Sequence, residues 1–147
     1  MIEKDAPPCV ELKHSRIGLQ VRLRASEETR AAILDDWYRQ QLKAAVPKLI
    51  AKWEPHLGVC VSRFYVQRMK TRWGSCNTLA GSIRLNTELA KKPKECLEYI
   101  VVHEMVHLLE PTHNQRFVEL MNRFMPNSTF YRDALNQLPV RHERWRY

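Results

Sequence analysis

The sequence predicts an α+β fold, and three observations carry that expectation. A short stretch near the amino terminus alternates apolar and polar residues, as a half-buried strand does. Long stretches on either side of the chain's middle repeat apolar residues at three- and four-residue steps, as amphipathic helices do. Between them lie two β-branched, aromatic-rich runs separated by a segment with glycines at both ends, Gly74 and Gly81. At 147 residues the chain fits one domain, taken as residues 1–147 with a core at about 53–138.

The opening residues, Met1 to Pro8, have two adjacent prolines and no periodicity, so they are expected to be extended or loose. From Ile17 to Ala25, Ile17, Leu19, Val21 and Leu23 share one strand face with Arg22 and Arg24 on the other. Residues 1–25 are thus a short extension with one strand. Ser26 stands where an N-cap belongs, and Glu27 and Glu28 occupy the first turn, where carboxylates suit the helix dipole. Ile33, Leu34, Trp37, Tyr38, Leu42, Val46, Leu49, Ile50 and Trp53 then form a helical stripe. Pro47 is expected to kink or divide that helix near Ala45, and Pro55 with Gly58 to close it. Aromatics at helical spacing are ordinary core, and we read Trp37 and Trp53 so.

Val59 to Met69 reads as a strand whose alternation slips once, and Ser82 to Asn86 as a second strand, with the glycine-flanked segment as the turn of an antiparallel pair. Pro93 suits the first turn of a further helix with Cys96, Leu97, Ile100, Val101 and Leu108 on its buried stripe, ended by Pro111. A helix from about Asn114 to Phe124 and a shorter one near Thr129 to Leu138 complete the chain.

The chemistry concentrates in His103-Glu104-Met105-Val106-His107 and in His113 six residues on. Residues four apart lie one above the other on a helix, so His103 and His107 can aim ring nitrogens at one ion, with Glu104 one step round to act on water as general base. A third histidine gives the ligand count of a catalytic zinc site, which keeps one position open; structural sites more often use cysteine and fill all four. Glu110 competes with His113 as third ligand. We prefer His113, because Pro111 lets the chain turn and return, and assign Glu110 to orienting a ligand. The reaction expected is hydrolysis on one Zn2+ per chain, with Glu104 taking the proton of water and delivering it to the leaving amine. Cobalt, nickel or copper would fit the same nitrogen donors.

Arg72-Trp73-Gly74-Ser75-Cys76, then Gly81-Ser82-Ile83-Arg84-Leu85-Asn86, then His103-Glu104-Met105-Val106-His107-Leu108, His113 and Phe117 resemble the YgjP-like metallopeptidases, relatives of the WLM and SprT-type zincins. The resemblance spans roughly Trp53 to Leu138. It implies a zincin-like α+β domain with an active-site helix, a backing helix and a small antiparallel sheet, three histidines on zinc and Glu104 as base. It also implies an edge strand that receives an extended substrate by backbone pairing, for which Ser82 to Asn86 is the candidate. Arg72 is assigned to a substrate carboxylate or phosphate, Cys76 to a small buried position near the metal, and Tyr131 or His142 to steadying an oxyanion.

Composition limits the other readings. The four cysteines, Cys9, Cys60, Cys76 and Cys96, are too widely spaced for a thiolate zinc knot or a small disulfide framework, and fit reduced thiols. No apolar run approaches the roughly 18 residues of a membrane helix, and the amino terminus lacks the apolar core of a signal peptide. A cytoplasmic protein acting on a peptide or protein substrate, without a membrane partner, is expected. The formal charge of +8 gathers at Arg63, Arg68, Lys70, Arg72 and Arg84, at Lys91, Lys92 and Lys94, and at Arg141, Arg144 and Arg146. The plainer reading is a solvated basic surface. Nucleotide and nucleic-acid partners stay open, and with them a nucleoside triphosphate pyrophosphatase, a nucleic-acid-associated SprT-like protease or a non-catalytic zinc module.

Overall fold

The computed structural model describes residues 27–137. The strand expected at 17–25, the Ser26 cap and His142 lie outside them. Helix α1 runs Glu27–Leu57, the three strands are β1 (Arg63–Gln67), β2 (Gly74–Asn77) and β3 (Ser82–Asn86), and a 3-10 turn spans Thr87–Lys91. Helices α2 (Lys94–Val106), α3 (Gln115–Phe124) and α4 (Ser128–Gln137) follow. The fold is α+β, as expected.

Pro47 does not divide α1, which is continuous through it. A proline inside a helix costs about 3 kcal/mol through a lost ladder bond and a ring clash. Here Leu42, Val46, Ile50 and Leu57 are all buried in the same core, and that shared burial on both sides of the proline holds the helix together. At the far end, Gly58 takes a positive φ of 71°, and the amides of Gly58 and Val59 both donate to the Glu54 carbonyl. Gly58 thus closes the helix as expected, whereas Pro55 lies inside it.

The sheet is mixed rather than purely antiparallel, with strand order β1-β3-β2 among the described residues. β1 runs parallel to β3, Arg63 opposite Ser82 and Gln67 opposite Asn86. β2 runs antiparallel to β3, Gly74 opposite Leu85 and Asn77 opposite Ser82. The segment read as a turn itself contains a strand, so the chain reverses twice between β1 and β3 and the two end up pointing the same way. The true hairpin turn is only Thr78 to Gly81. Asn77 closes it, its side-chain oxygen accepting the amides of Leu79 and Ala80 and its carbonyl accepting Gly81, whose φ is 72°. β3 is therefore the middle strand and offers no free edge for a substrate, contrary to the expectation for Ser82 to Asn86. Among the described residues the edges belong to β1 and β2.

Helix α2 is the centre of the structure, packed by α1, β2, β3, α3 and α4. Cys96, Leu97 and every residue from Tyr99 to Val106 are buried, so it has no solvent face over its last two turns. Such all-round burial is what an apolar sequence with few polar positions permits. The helix ends at Val106, earlier than Pro111 would require, and Leu108 is only half-buried in the turn beyond. No helix among the described residues is long and apolar enough to cross a membrane.

One polar clasp ties α1 to α2. Glu98 Oε2 accepts hydrogen bonds from Lys52 Nζ at 2.7 Å and from Trp53 Nε1 at 2.8 Å. Burial pushes the Glu98 carboxyl up, but these two bonds and the Lys52 charge outweigh it and hold it below the usual range. A depressed carboxyl contributes stability above its unfolded pKa and loses it as pH falls through the folded one. Glu98→Ala is expected to cost about 1–3 kcal/mol at neutral pH, shrinking towards zero in acid. Urea unfolding across pH would show this, and a pH-independent difference would refute it.

Candidate metal centre

The last turn of α2 and the residue that caps it carry the first two histidines. His103 is wholly buried, and His107, the C-terminal cap of α2, is half-buried. Beyond them Leu108, Leu109 and Glu110 continue the coil by donating their amides to Met105 and Val106 carbonyls, and Pro111 then diverts the chain. His113 returns on the exposed side, one residue before the Asn114 that caps α3. Its Nε2 lies 3.0 Å from His107 Nε2 and 3.3 Å from His103 Nε2, and one ring nitrogen of each of the three falls within 4.8 Å of the others.

That convergence fits a metal. Four tetrahedral ligands held 2.0–2.1 Å from zinc stand about 3.3–3.4 Å apart, close to the two separations seen. Protons alone do not account for it. His107 Nδ1 donates to the Glu110 carbonyl at 3.1 Å, which leaves Nε2 as a lone pair, and a single N–H on His113 Nε2 can serve only one of its two neighbours. A shared cation satisfies all three lone pairs. Burial lowers the affinity of each ring for protons: His103 well below the usual imidazole range, with further contributions from His107 and His113; His107 less so, its bond to Glu110 opposing; and His113, where Arg72 adds to the effect. Neutral imidazoles are the form that binds metal.

The walls are aromatic. Phe117, wholly buried, stacks on His107 with centroids 4.5 Å apart and an interplanar angle of 27°, and meets His103 and His113 edge-on at 4.9 Å. Tyr99 meets His103 edge-on at 5.9 Å.

Glu104 is only 2 % exposed, on the side of α2 that faces β2. Burial raises its carboxyl to about 8, with the Arg72 charge opposing. The carboxylate fits there because Gly74 has no side chain: a Cβ at that position would stand 3.0 Å from Glu104 Oε2 and 2.9 Å from Ile100 Cγ2. The strand is thereby laid directly on the helix. Trp73 is buried beside it, and its carbonyl accepts the Asn86 amide.

The other expected site residues are placed as follows. Arg72 is exposed and within electrostatic reach of Glu104 and His113. Cys76 sits in β2 near Glu104, its thiol pushed up to about 12 by burial and by that carboxylate, and it is not one of the three converging groups. Cys60, Cys76 and Cys96 are free thiols. Glu110 does not join the nitrogens either; its carbonyl holds His107 while its carboxylate meets Asn114 and Arg116. Tyr131 is half-buried on α4, its ring tilted at 34° to that of Tyr99 with centroids 6.2 Å apart.

Sequence reasoning missed Asn86 and Asn114. Asn86 is fully buried, donates to the carbonyls of Met69 and Arg72 at 3.0 and 2.7 Å, and accepts the Glu88 amide, so it fixes the loop that carries Arg72 to the site. An asparagine closing a strand immediately before a Thr-Glu pair is a capping signal that could have found it.

A family model for the YgjP-like metallopeptidase domain matches residues 1–138. A search of curated proteins returned no match. Among solved structures, the fold is similar to the metallopeptidase zymogen abylysin of Pyrococcus abyssi, with a TM-score of 0.60 and 20 % identity over 67 % of this chain and 98 % of that one. It is also similar to the metallopeptidase zymogen jannalysin of Methanocaldococcus jannaschii, with a TM-score of 0.55 and 18 % identity over 63 % of this chain and 95 % of the other. At those identities the structures speak for the fold alone. The family model covers nearly the whole chain and its metallopeptidase description agrees with the histidine cluster beside a buried carboxylate, so the chain belongs to the YgjP-like metallopeptidase family.

Proposed function

We propose that this protein is a zinc-dependent metallopeptidase in which His103, His107 and His113 hold the ion and Glu104 is the general base. The observation that carries the reading is the convergence of three imidazole nitrogens, 3.0 and 3.3 Å apart in the two pairs that share His113, beside a buried carboxyl. When bound, zinc supplies Lewis acidity, polarising a scissile carbonyl and acidifying water. The chain's own residues do the rest. The Glu110 carbonyl fixes the His107 tautomer so that Nε2 faces the ion. The Glu104 carboxylate takes the proton of the attacking water and holds it. Arg72 adds positive charge at the mouth of the site, where a peptide carboxylate or carbonyl oxygen is attracted. The substrate is a peptide or protein segment, and β2 is the strand with a free edge among the described residues that lies against Glu104.

The test is metal content with activity. Purified protein is expected to carry about one zinc per chain, to cleave members of a peptide library, to stop when the metal is chelated and to recover on adding zinc back. His113→Ala is expected to lower zinc occupancy well below that of the parent, since two nitrogens remain of three. Cleavage that survives complete metal removal would overturn the reading, and so would turnover of nucleoside triphosphates with none of peptides.

A further inference from the structure

We propose that Asn114 is a positioning residue for the metal centre, its side-chain amide clasping Glu110 while it caps α3 and so holding His107 and His113 at their mutual distance. This rests on the metal-site reading above. His113 lies in the exposed stretch Pro111 to Arg116, yet its ring must meet two rings fixed on α2.

Both ends of that stretch are tied by one side chain. Asn114 Nδ2 donates to Glu110 Oε1 at 2.6 Å, and Asn114 Oδ1 accepts the Phe117 amide at 2.9 Å. Glu110 is itself anchored to α2, its amide donating to the Val106 carbonyl at 2.9 Å and its carbonyl accepting from His107 Nδ1 at 3.1 Å. The loop from Glu110 to Asn114 is thus closed into a ring that contains His113. The same cap places Phe117, whose ring touches all three histidines.

An ordinary cap needs only an acceptor, which Ser, Thr and Asp supply as well as Asn. Here the amide nitrogen is used too, and only a side chain with both an acceptor and a donor makes both bonds. Asn114→Asp separates the two roles, keeping the acceptor for Phe117 while removing the donor and setting two carboxylates together. Glu110→Gln combined with Asn114→Asp restores the bond with its direction reversed, Gln Nε2 donating to the aspartate.

The experiment titrates metal-free protein with Co2+, following its visible bands, alongside thermal unfolding of the metal-free protein. Asn114→Asp is expected to bind Co2+ about 10- to 100-fold more weakly, the usual loss when a partner that orients a metal ligand is removed. Its bands should shift while its metal-free thermal midpoint stays near the parent's. The Glu110→Gln, Asn114→Asp pair is expected to regain most of the lost affinity. Parent-like Co2+ binding in Asn114→Asp, or a paired variant no better than the single one, overturns the proposal. Failure of the parent itself to bind Co2+ overturns the metal-site reading instead, before any variant is compared.

Discussion

Glu104→Gln is expected to keep its zinc and lose hydrolysis, with kcat falling about 10²- to 10⁴-fold, the range general-base removal produces. The substitution is nearly isosteric, and none of the three nitrogens that converge belongs to Glu104, so metal content should not change. The same variant has an opposite effect on folding. In the absence of metal the carboxyl is raised from 4.5 to about 8, so the folded state prefers it protonated. That preference stabilises the fold fully below pH 4.5 and is lost as pH rises from 4.5 through 8. A neutral amide escapes the penalty. Metal-free Glu104→Gln should therefore match or exceed the parent in stability by a growing margin across that window, on the order of 1 kcal/mol per pH unit. Zinc analysis, peptide turnover and denaturant unfolding from pH 4 to 9 read all three effects. A zinc-loaded variant with parental turnover would remove Glu104 from the mechanism.

Gly74→Ala is expected to damage stability and catalysis together. The added Cβ would meet Ile100 Cγ2 at 2.9 Å, Glu104 Oε2 at 3.0 Å and the Arg84 carbonyl at 3.1 Å. Ile100 is fully buried and Arg84 lies in the central strand, paired on both sides, so neither can yield cheaply. The strand must lift from α2 or the Glu104 carboxylate must turn away. Overpacking of this kind costs about 1–3 kcal/mol, and displacing a catalytic group by an ångström costs up to about 100-fold in rate. Denaturant unfolding and kcat/KM on one peptide measure the two losses. A stable, fully active Gly74→Ala would show that β2 does not lie against Glu104.

Which parts of this were legible depends on whether the signal is local. The helix with both histidines on one face follows from a four-residue spacing, and the return of His113 from Pro111 and the residues after it, because both are short-range backbone effects. The convergence of His113, rather than of the Glu110 carboxylate, on His103 and His107 was therefore readable. The glycines at 74 and 81 marked special backbone, but nothing nearby says whether a glycine turns the chain or lets another element approach. Gly81 does the first, at φ 72°. Gly74 does the second, and its neighbours Ile100 and Glu104 are some thirty residues away in the chain. The apolar stripe of α1 told the same story: it announced a helix, while Pro47 announced a break that burial of Val46 and Ile50 overrode.

By itself, then, the chain's order of residues determined the α+β class, the helical spacing of His103 and His107, the third histidine and the resemblance that the family match bears out. Those are properties of local geometry and of residue type. Only the tertiary structure decided that β1 and β3 run parallel with β2 at the edge, that Glu104 is sealed beneath a glycine, and that Asn114 ties Glu110 to α3. Each depends on which distant segments come together, and that is settled by the summed burial of the core around α2, a quantity no single stretch of sequence contains.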